Sequence, residues 1–426
     1  MPAVLFPFFD AIGVIRMDRP KIRKLFPENA PPGGPKPYLL VDPFGIAPAG
    51  FGVTEKELGF LRLMNGVRTM GEISSAARDL RGEAVSVREV ADLARRLEEG
   101  LLLQNEESRE AYRRSEEAFR SESERPMRHH GECYPAEPAA FEDALRDWLQ
   151  PPAGPGAPDF SRPGRRVTGL FAPHIDPLVA GPAYARAYKP AVEDDANDLF
   201  VILGTAHYRD VNPFILTEKP FRTPWGLVET DREFAAELRA ACRADLSRDE
   251  LIHKVEHSVE FQVVLLDAFL RGRRPFKIVP LLVSSFAGAI EDGANPGDDP
   301  LVADFLEALA GTLESRRGRA CIVAGVDLAH LGLKFGDDEK PDARNLEDLE
   351  AADRRSLACA CVPDADAFWE DVMADENARR ICGVAPMYLA AKLLEGSRGE
   401  VVAYGRDHRP DEGYAVSYAG VVFRPA

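Results

Sequence analysis

Three segments of this chain share one grammar: an uninterrupted run of apolar, β-prone residues that stops at a histidine-bearing turn. VTGLFAPH stops at His174, DLFVILGTAH at His207, and ACIVAGVDLAH at Asp327 and His330. Runs of this length without polar alternation fit strands covered on both faces, the habit of parallel strands. Helical stretches such as GPAYARAYKPAVE and REFAAELRAACR separate them, so strand and helix alternate. The pattern predicts an α/β domain with a mostly parallel central sheet flanked by helices. In open sheets of this kind ligands bind beyond the carboxyl ends of the strands. His174, His207, Asp327 and His330, distant in sequence, are therefore expected at one edge, where metal ligands could meet.

A lone histidine after a strand is ordinarily a satisfied loop or cap residue. The chain has 8 histidines among 426 residues, and three at equivalent strand ends carry more weight than one. The segment ELIHKVEHSVEFQVVLLDAFL adds His253, Glu256, His257 and Glu260. Each like pair has i, i+4 spacing, so a continuous helix would put it on one face. The HxxEH order is the reversed form of a metallopeptidase helix, although no third ligand is evident beside it. Cys382, in ENARRICGVAPMYLAAKLLEG, precedes a helical stretch whose start is marked by Pro386. A helix N-terminus favours a thiolate, for ligation or for nucleophilic attack. The bland alternative is a buried structural cysteine.

Composition sets the bounds. A length of 426 residues points to two or three domains, and a hydrophobic fraction of 45% is enough to build real cores. A net charge of -17 and a pI near 5.1 argue against a nucleic-acid-binding surface. No stretch reaches the roughly 18 apolar residues of a membrane span. The apolar opening MPAVLFPFFDAIGVIRMDR lacks the basic lead of a secretion signal. A cytoplasmic protein without a membrane partner is expected. The 6 cysteines include no CxxC pair, so neither a disulfide framework nor a structural zinc site is indicated.

Residues 1–105 read as a small separate domain. An apolar run from Tyr38 suits a short strand or hairpin, and Thr54 with Glu57 has capping-box spacing ahead of a helix that ends by Gly66. A second helix begins near Met70, and a third spans Val87 to Glu99 with Gly100 as its stop. A strand pair with three short helices predicts a small winged-helix-like domain. Residues 106–128, dense in charge, read as a solvated helix or linker. Residues 129–426 form the α/β domain, with the Pro/Gly-rich stretch from Pro151 to Arg166 as an exposed loop inside it. VDP, a helix followed by NG, and REVADLARRLEEGLL resemble PqqD-like domains. That resemblance implies a peptide ligand at the N-terminal domain; a scaffolding or dimerisation module is the alternative.

In the larger domain the ordered series APHIDPLVAGPAYARAY, LGTAHYRDVNPF, FRTPWGLVETDREF, EHSVEFQ, KIVPLLVSSF, AGVDLAHLGLKFGD and RRICGVAPMYLAAKLL resembles the Memo family. It is most similar to the bacterial branch named AmmeMemoRadiSam system protein B. The similarity runs from about His130 to the terminal SYAGVVF. It implies His174, His207 and Cys382 as metal ligands, with His257, Asp327 and His330 lining the same pocket for acid/base work. Many members carry Ala-Gly-Tyr after the first histidine. Here Ile175, Asp176 and Pro177 stand there, so the tyrosine is missing and Asp176 could add a carboxylate. The family fold is similar to that of extradiol-type dioxygenases, which hold Fe(II) with two histidines and a carboxylate. A thiolate in the carboxylate's place favours Cu(I), Zn or Fe over hard cations, and that ligand set alone does not choose among them. The resemblance implies one metal ion, Fe(II) or Cu ahead of Zn. The resemblance also implies AMMECR1-type and radical-SAM partner proteins. The function it implies is a non-haem metal-dependent oxidoreductase, dioxygenase-like, acting on a small aromatic or peptide substrate. The alternatives are a non-catalytic copper- or iron-binding protein and a peptide-binding scaffold.

Overall fold

The structure, a computed structural model, describes residues 19–23, 25–29, 36–47, 50–81, 85–161, 164–208, 212–316 and 318–426. The rest of the apolar opening, residues 1–18, lies outside them. The chain divides into two compact units, with the boundary between Ser121 and Glu122.

In the first unit β1 (Phe26–Asn29), β2 (Tyr38–Val41) and β3 (Phe51–Val53) pair antiparallel in that order. Helices α1 (Glu55–Leu61), α2 (Met70–Arg81), α3 (Val87–Glu99) and α4 (Glu106–Ser121) follow. The predicted capping box is present: Thr54 accepts from the Glu57 amide while the Glu57 carboxylate accepts from that of Thr54. Ser86 and Glu89 repeat it at α3, which ends at Gly100. Helix α3 buries Val90, Leu93, Ala94 and Leu97, an i, i+3, i+4, i+7 stripe. That stripe joins Val53, Leu58, Leu61 and Ile73 in one core. Arg23 and Asp42, each 3% exposed, form a buried ion pair at 3.1 Å. The charge-dense stretch folds as α4, where Tyr112 meets the Phe44 ring edge-on at 5.4 Å. Phe119 and Ser108 are buried beside Tyr112, so a helix that reads as solvated in sequence has an inward face.

The second unit contains α5 (Pro138–Trp148), β4 (Gly169–Ala172), α6 (Pro177–Glu193), β5 (Leu199–Thr205), β6 (Phe214–Leu216), β7 (Phe221–Thr223), β8 (Gly226–Val228) and α7 (Arg232–Ala241). Next come α8 (Ile252–Val255), α9 (His257–Leu270), β9 (Lys277–Val283), α10 (Ala287–Asp292), α11 (Pro300–Glu314), β10 (Ala320–Gly325) and β11 (His330–Gly332). The chain ends with α12 (Ala343–Cys361), α13 (Ala365–Met373), α14 (Val384–Leu393), β12 (Ser397–Arg409) and β13 (Tyr414–Pro425). The described residues between α5 and β4 form no helix or strand, in keeping with their prolines.

The main sheet runs β11-β13-β4-β10-β5-β9-β6, with β12 paired to β13. Its centre, β4, β10, β5 and β9, is parallel. The flanking pairings are antiparallel, so the sheet is mixed around a parallel centre. A tight turn between β12 and β13 forces their antiparallel pairing, because a parallel pair needs a long crossover. Every residue of β4 and β5 is buried, as continuous apolar runs require.

The two faces of β5 meet different layers. Leu199, Val201 and Leu203 pack in one cluster with Ala385, Met387 and Leu389 of α14. Gly204 faces α9: a Cβ there would lie 2.6 Å from Ser258 Oγ and 2.7 Å from Val259. Its register partner Gly325 on β10 would meet Ser258 O at 2.7 Å and Gln262 Nε2 at 2.8 Å. Only glycine admits so close a helix, and that helix begins with His257. No helix among the described residues is long and apolar enough to cross a membrane.

Candidate metal centre

Strand β4 ends at Ala172, β5 at Thr205 and β10 at Gly325; His174, His207 and Asp327 each stand two residues further on. Gly325 is in register with both Ala172 and Gly204, so the three turns open side by side. His330 does not share this position, since it opens β11. His257 arrives instead from the start of α9. His174, His207 and His257 each offer a ring nitrogen, all within 4.8 Å of one another. The His207 and His257 rings are nearly parallel, 16° apart with centroids at 4.7 Å, and His174 stands edge-on to both. His174 is 2% exposed, whereas the side chains of His207 and His257 are 26% and 25% exposed. The cluster thus has a closed floor and an open mouth.

Glu256 organises two of these rings. Its extended backbone (φ -77, ψ 133) breaks the chain between α8 and α9, and its carboxylate caps α9 by accepting from the His257 and Ser258 amides. The same carboxylate accepts from His207 N at 2.9 Å and faces His207 Nδ1 at 3.0 Å and His257 Nδ1 at 3.2 Å. His174 Nδ1 in turn lies 2.9 Å from Gly325 O. A neutral imidazole that donates from Nδ1 carries its lone pair on Nε2, and anchoring of this kind is how metal-ligating histidines are oriented. Burial, reinforced by repulsion from His207 and His257, holds His174 well below its usual pKa. Burial also takes His257 down to about 3. Both rings are therefore neutral at pH 7, as ligation requires. Burial alone would raise the Glu256 carboxyl, but the facing histidines and the N–H donors outweigh it and keep it ionised.

Cys382 Sγ lies 3.0 Å from His174 Nε2 but outside the three-histidine group. Of the ligand set expected from the sequence, the structure brings His174 and His207 together with His257, and Cys382 meets that group at His174. Burial, and then the Asp327 carboxylate, push this thiol well above its usual value, so the thiolate expected from the helix dipole does not form unaided. A cation at the histidines would reverse the balance, because a coordinating thiol loses its proton. Asp327 accepts from the His174 amide at 3.0 Å and approaches His174 Nε2 to 3.7 Å. Burial lifts its carboxyl to about 7 against the amides of His174 and Ile175. His330 holds Nδ1 between Leu328 O at 3.0 Å and Arg380 O at 3.1 Å, and burial takes it down to about 4.

The HxxEH reading does not survive the break at Glu256. His253 sits on α8 with Nε2 3.1 Å from Ile215 O, outside the three-histidine group, so the continuous metallopeptidase helix is not formed. Asp176 stands at the N-cap of α6 beside the Cys133 thiol and is likewise outside that group. Sequence reasoning missed the orienting role of Glu256 and the anchoring role of Glu260. Glu260 pairs with buried Arg125 and accepts from Tyr134 Oη and from the His129 amide at 3.0 Å, which leaves the His129 ring 5.7 Å from that of His257. The signal was available: carboxylates in an otherwise apolar helix must have partners.

The family profile described as Memo-like protein matches residues 125–422, from the Arg125 anchor into β13. The chain belongs to the Memo family. The matched region holds the whole histidine cluster together with Glu256, Asp327 and Cys382. Among similar proteins, a MEMO1 family protein of Aquifex aeolicus is 28% identical over 411 residues, covering 95% of this chain and 100% of its own length. Another, from Thermus thermophilus, is 28% identical over 345 residues, covering 80% and 94%. A third, from Methanopyrus kandleri, is 27% identical over 301 residues, covering 69% and 96%. The first of these alignments is long enough to include both units, whereas the Memo profile itself falls on the second.

Proposed function

We propose that the Memo unit is a non-haem metal-dependent oxidoreductase, dioxygenase-like, acting on a small aromatic or peptide substrate. It would use one Fe(II) or Cu ion held by His174, His207, His257 and Cys382. The observation that supports this reading is convergence: three imidazoles, two of them anchored through Nδ1, and a thiol 3.0 Å from the Nε2 of one of them. Nitrogen and sulfur donors of this kind suit iron, copper or zinc and not magnesium or calcium. When bound, the ion supplies Lewis-acid and one-electron chemistry.

The remaining work falls to the chain. Gly325 O and Glu256 fix the His174 and His207 rings, and the Glu256 cap sets His257 at the start of α9. Asp327, in contact with His174, and His330, at the start of β11 just after the same loop, hold or move protons. The exposed edges of His207 and His257 form the side from which a substrate enters. We further read the fold as similar to extradiol-type dioxygenases and the protein as a member of the bacterial AmmeMemoRadiSam branch. The first unit is read as a winged-helix-like, PqqD-like module for a peptide ligand. AMMECR1-type and radical-SAM proteins are its partners in the cytoplasm. Sequence resemblance supports these last readings.

The test is elemental analysis of chain loaded with Fe(II) or Cu, together with oxygen uptake in the presence of catechols. One ion per chain, and uptake abolished by His174→Ala, is the expected result. One ion without uptake would leave a metal-binding protein without turnover, and no ion would remove the site.

A further inference from the structure

We propose that Asp353 is a positioning residue, fixing the loop that carries Asp327 and His330 against the turn that carries Cys382. This rests on the metal-centre reading above. Asp353 lies on α12 and is wholly buried. One carboxylate oxygen accepts from Ser417 Oγ at 2.6 Å and from Tyr404 Oη at 3.0 Å, and the other faces Arg379 Nη1 at 3.3 Å. Ser417 Oγ accepts in turn from the Ala329 amide at 3.0 Å. The Ser417 backbone adds a bond to Ala329 O at 3.0 Å and one from Leu328 N at 2.9 Å.

Arg379 closes the circuit. Its carbonyl accepts from His330 N at 2.8 Å, and three residues later comes Cys382, followed by Gly383, whose amide donates to Asp327 O at 3.3 Å. From Ala329 the links run through Ser417, Asp353 and Arg379 to His330. Residues 326–329 form no strand or helix. These bonds hold them, together with Val326 N to Ala172 O at 2.8 Å and the His174 amide on the Asp327 carboxylate. A buried carboxylate–guanidinium pair carries a desolvation cost that an apolar pair would avoid. What the charged pair adds here is a defined spacing between two donor-bearing loops.

Cobalt(II) titration of the full-length chain tests this, because a cobalt–thiolate charge-transfer band reports Cys382 in the coordination shell. Ser417→Ala leaves the ion pair intact and cuts only its link to Ala329; Asp353→Asn removes the charge. Both are expected to weaken cobalt binding by roughly tenfold or more and to diminish the band. Tyr404→Phe deletes a bond to the same carboxylate that leads to neither loop, and it should leave affinity and band unchanged. Ser417→Thr, which keeps the hydroxyl, should restore both. Parent-like binding by Ser417→Ala overturns the proposal, as does an equal loss in Tyr404→Phe. If Asp353→Asn does not fold, Ser417→Ala with its threonine counterpart decides. If the parent chain takes up no cobalt, the metal reading itself fails, a result distinct from any difference between variants.

Discussion

Glu256 Oε1 stands 3.0 Å from His207 Nδ1, and the same oxygen accepts the amides that begin α9. One carboxylate thus ends α8, starts α9 and sets the tautomer of a ring brought from β5. Glu256→Gln keeps the shape and removes the charge. Metal affinity should fall about 10–100-fold, the usual cost of losing a carboxylate that orients a ligating histidine. Chelator competition measures it; undiminished affinity would reduce Glu256 to a helix cap.

Arg125 and Glu260 are 0% and 1% exposed, and their ion pair tethers the segment leading to His129 onto α9. Arg125→Met leaves the Glu260 charge buried without its partner. Chemical denaturation at pH 7 should register a loss of about 3–5 kcal/mol. A loss of only about 0–1 kcal/mol, as for a surface pair, would contradict the assignment.

His253 gives a pH dependence. Its ring is buried with Nδ1 unpartnered, and burial lowers its pKa to about 3 from an ordinary 6.5, with Arg125 adding repulsion. Between those values the unfolded chain takes up a proton that the folded chain refuses. This contribution to stability is complete above pH 6.5 and is lost as pH falls toward 3, at about 1.4 kcal/mol per pH unit. His253→Gln should flatten the stability profile between pH 6 and 4 by roughly that slope. An unaltered slope in urea unfolding would show that the folded state accommodates the imidazolium.

Gly204 couples packing to the site, because a methyl group there would lie 2.6 Å from Ser258 Oγ. Gly204→Ala should destabilise by about 1–3 kcal/mol through overpacking. Since α9 begins at His257, metal affinity should fall with it. Loss of stability with unchanged metal binding would mean that His257 does not depend on this contact.

Much of this arrangement is legible in sequence for a definite reason. Strands covered on both faces leave an unbroken apolar signature, so the turns bearing His174, His207 and Asp327 can be placed without the fold. Thr54, with Glu57 three residues on, marks a helix start by local chemistry alone. What stays hidden is tertiary. The periodicity around His253 and His257 predicts one helix, yet Glu256 breaks it because its carboxylate is committed to His207, a residue 49 positions away. His257 joins the cluster only because Gly204 and Gly325 let α9 approach, which no local pattern encodes. The Cys382 thiol is governed by burial, which outweighs the helix N-terminus that the sequence shows. The direction of β13 is likewise unreadable from SYAGVVF, since an apolar strand reads the same way in either orientation.

The most direct measurement is anomalous diffraction from a crystal of the chain soaked in zinc as a probe ion. One peak is predicted, about 2.0–2.1 Å from a ring nitrogen of each of His174, His207 and His257 and about 2.3 Å from Cys382 Sγ. No peak at these four donors, or an ion held elsewhere, would contradict the metal centre.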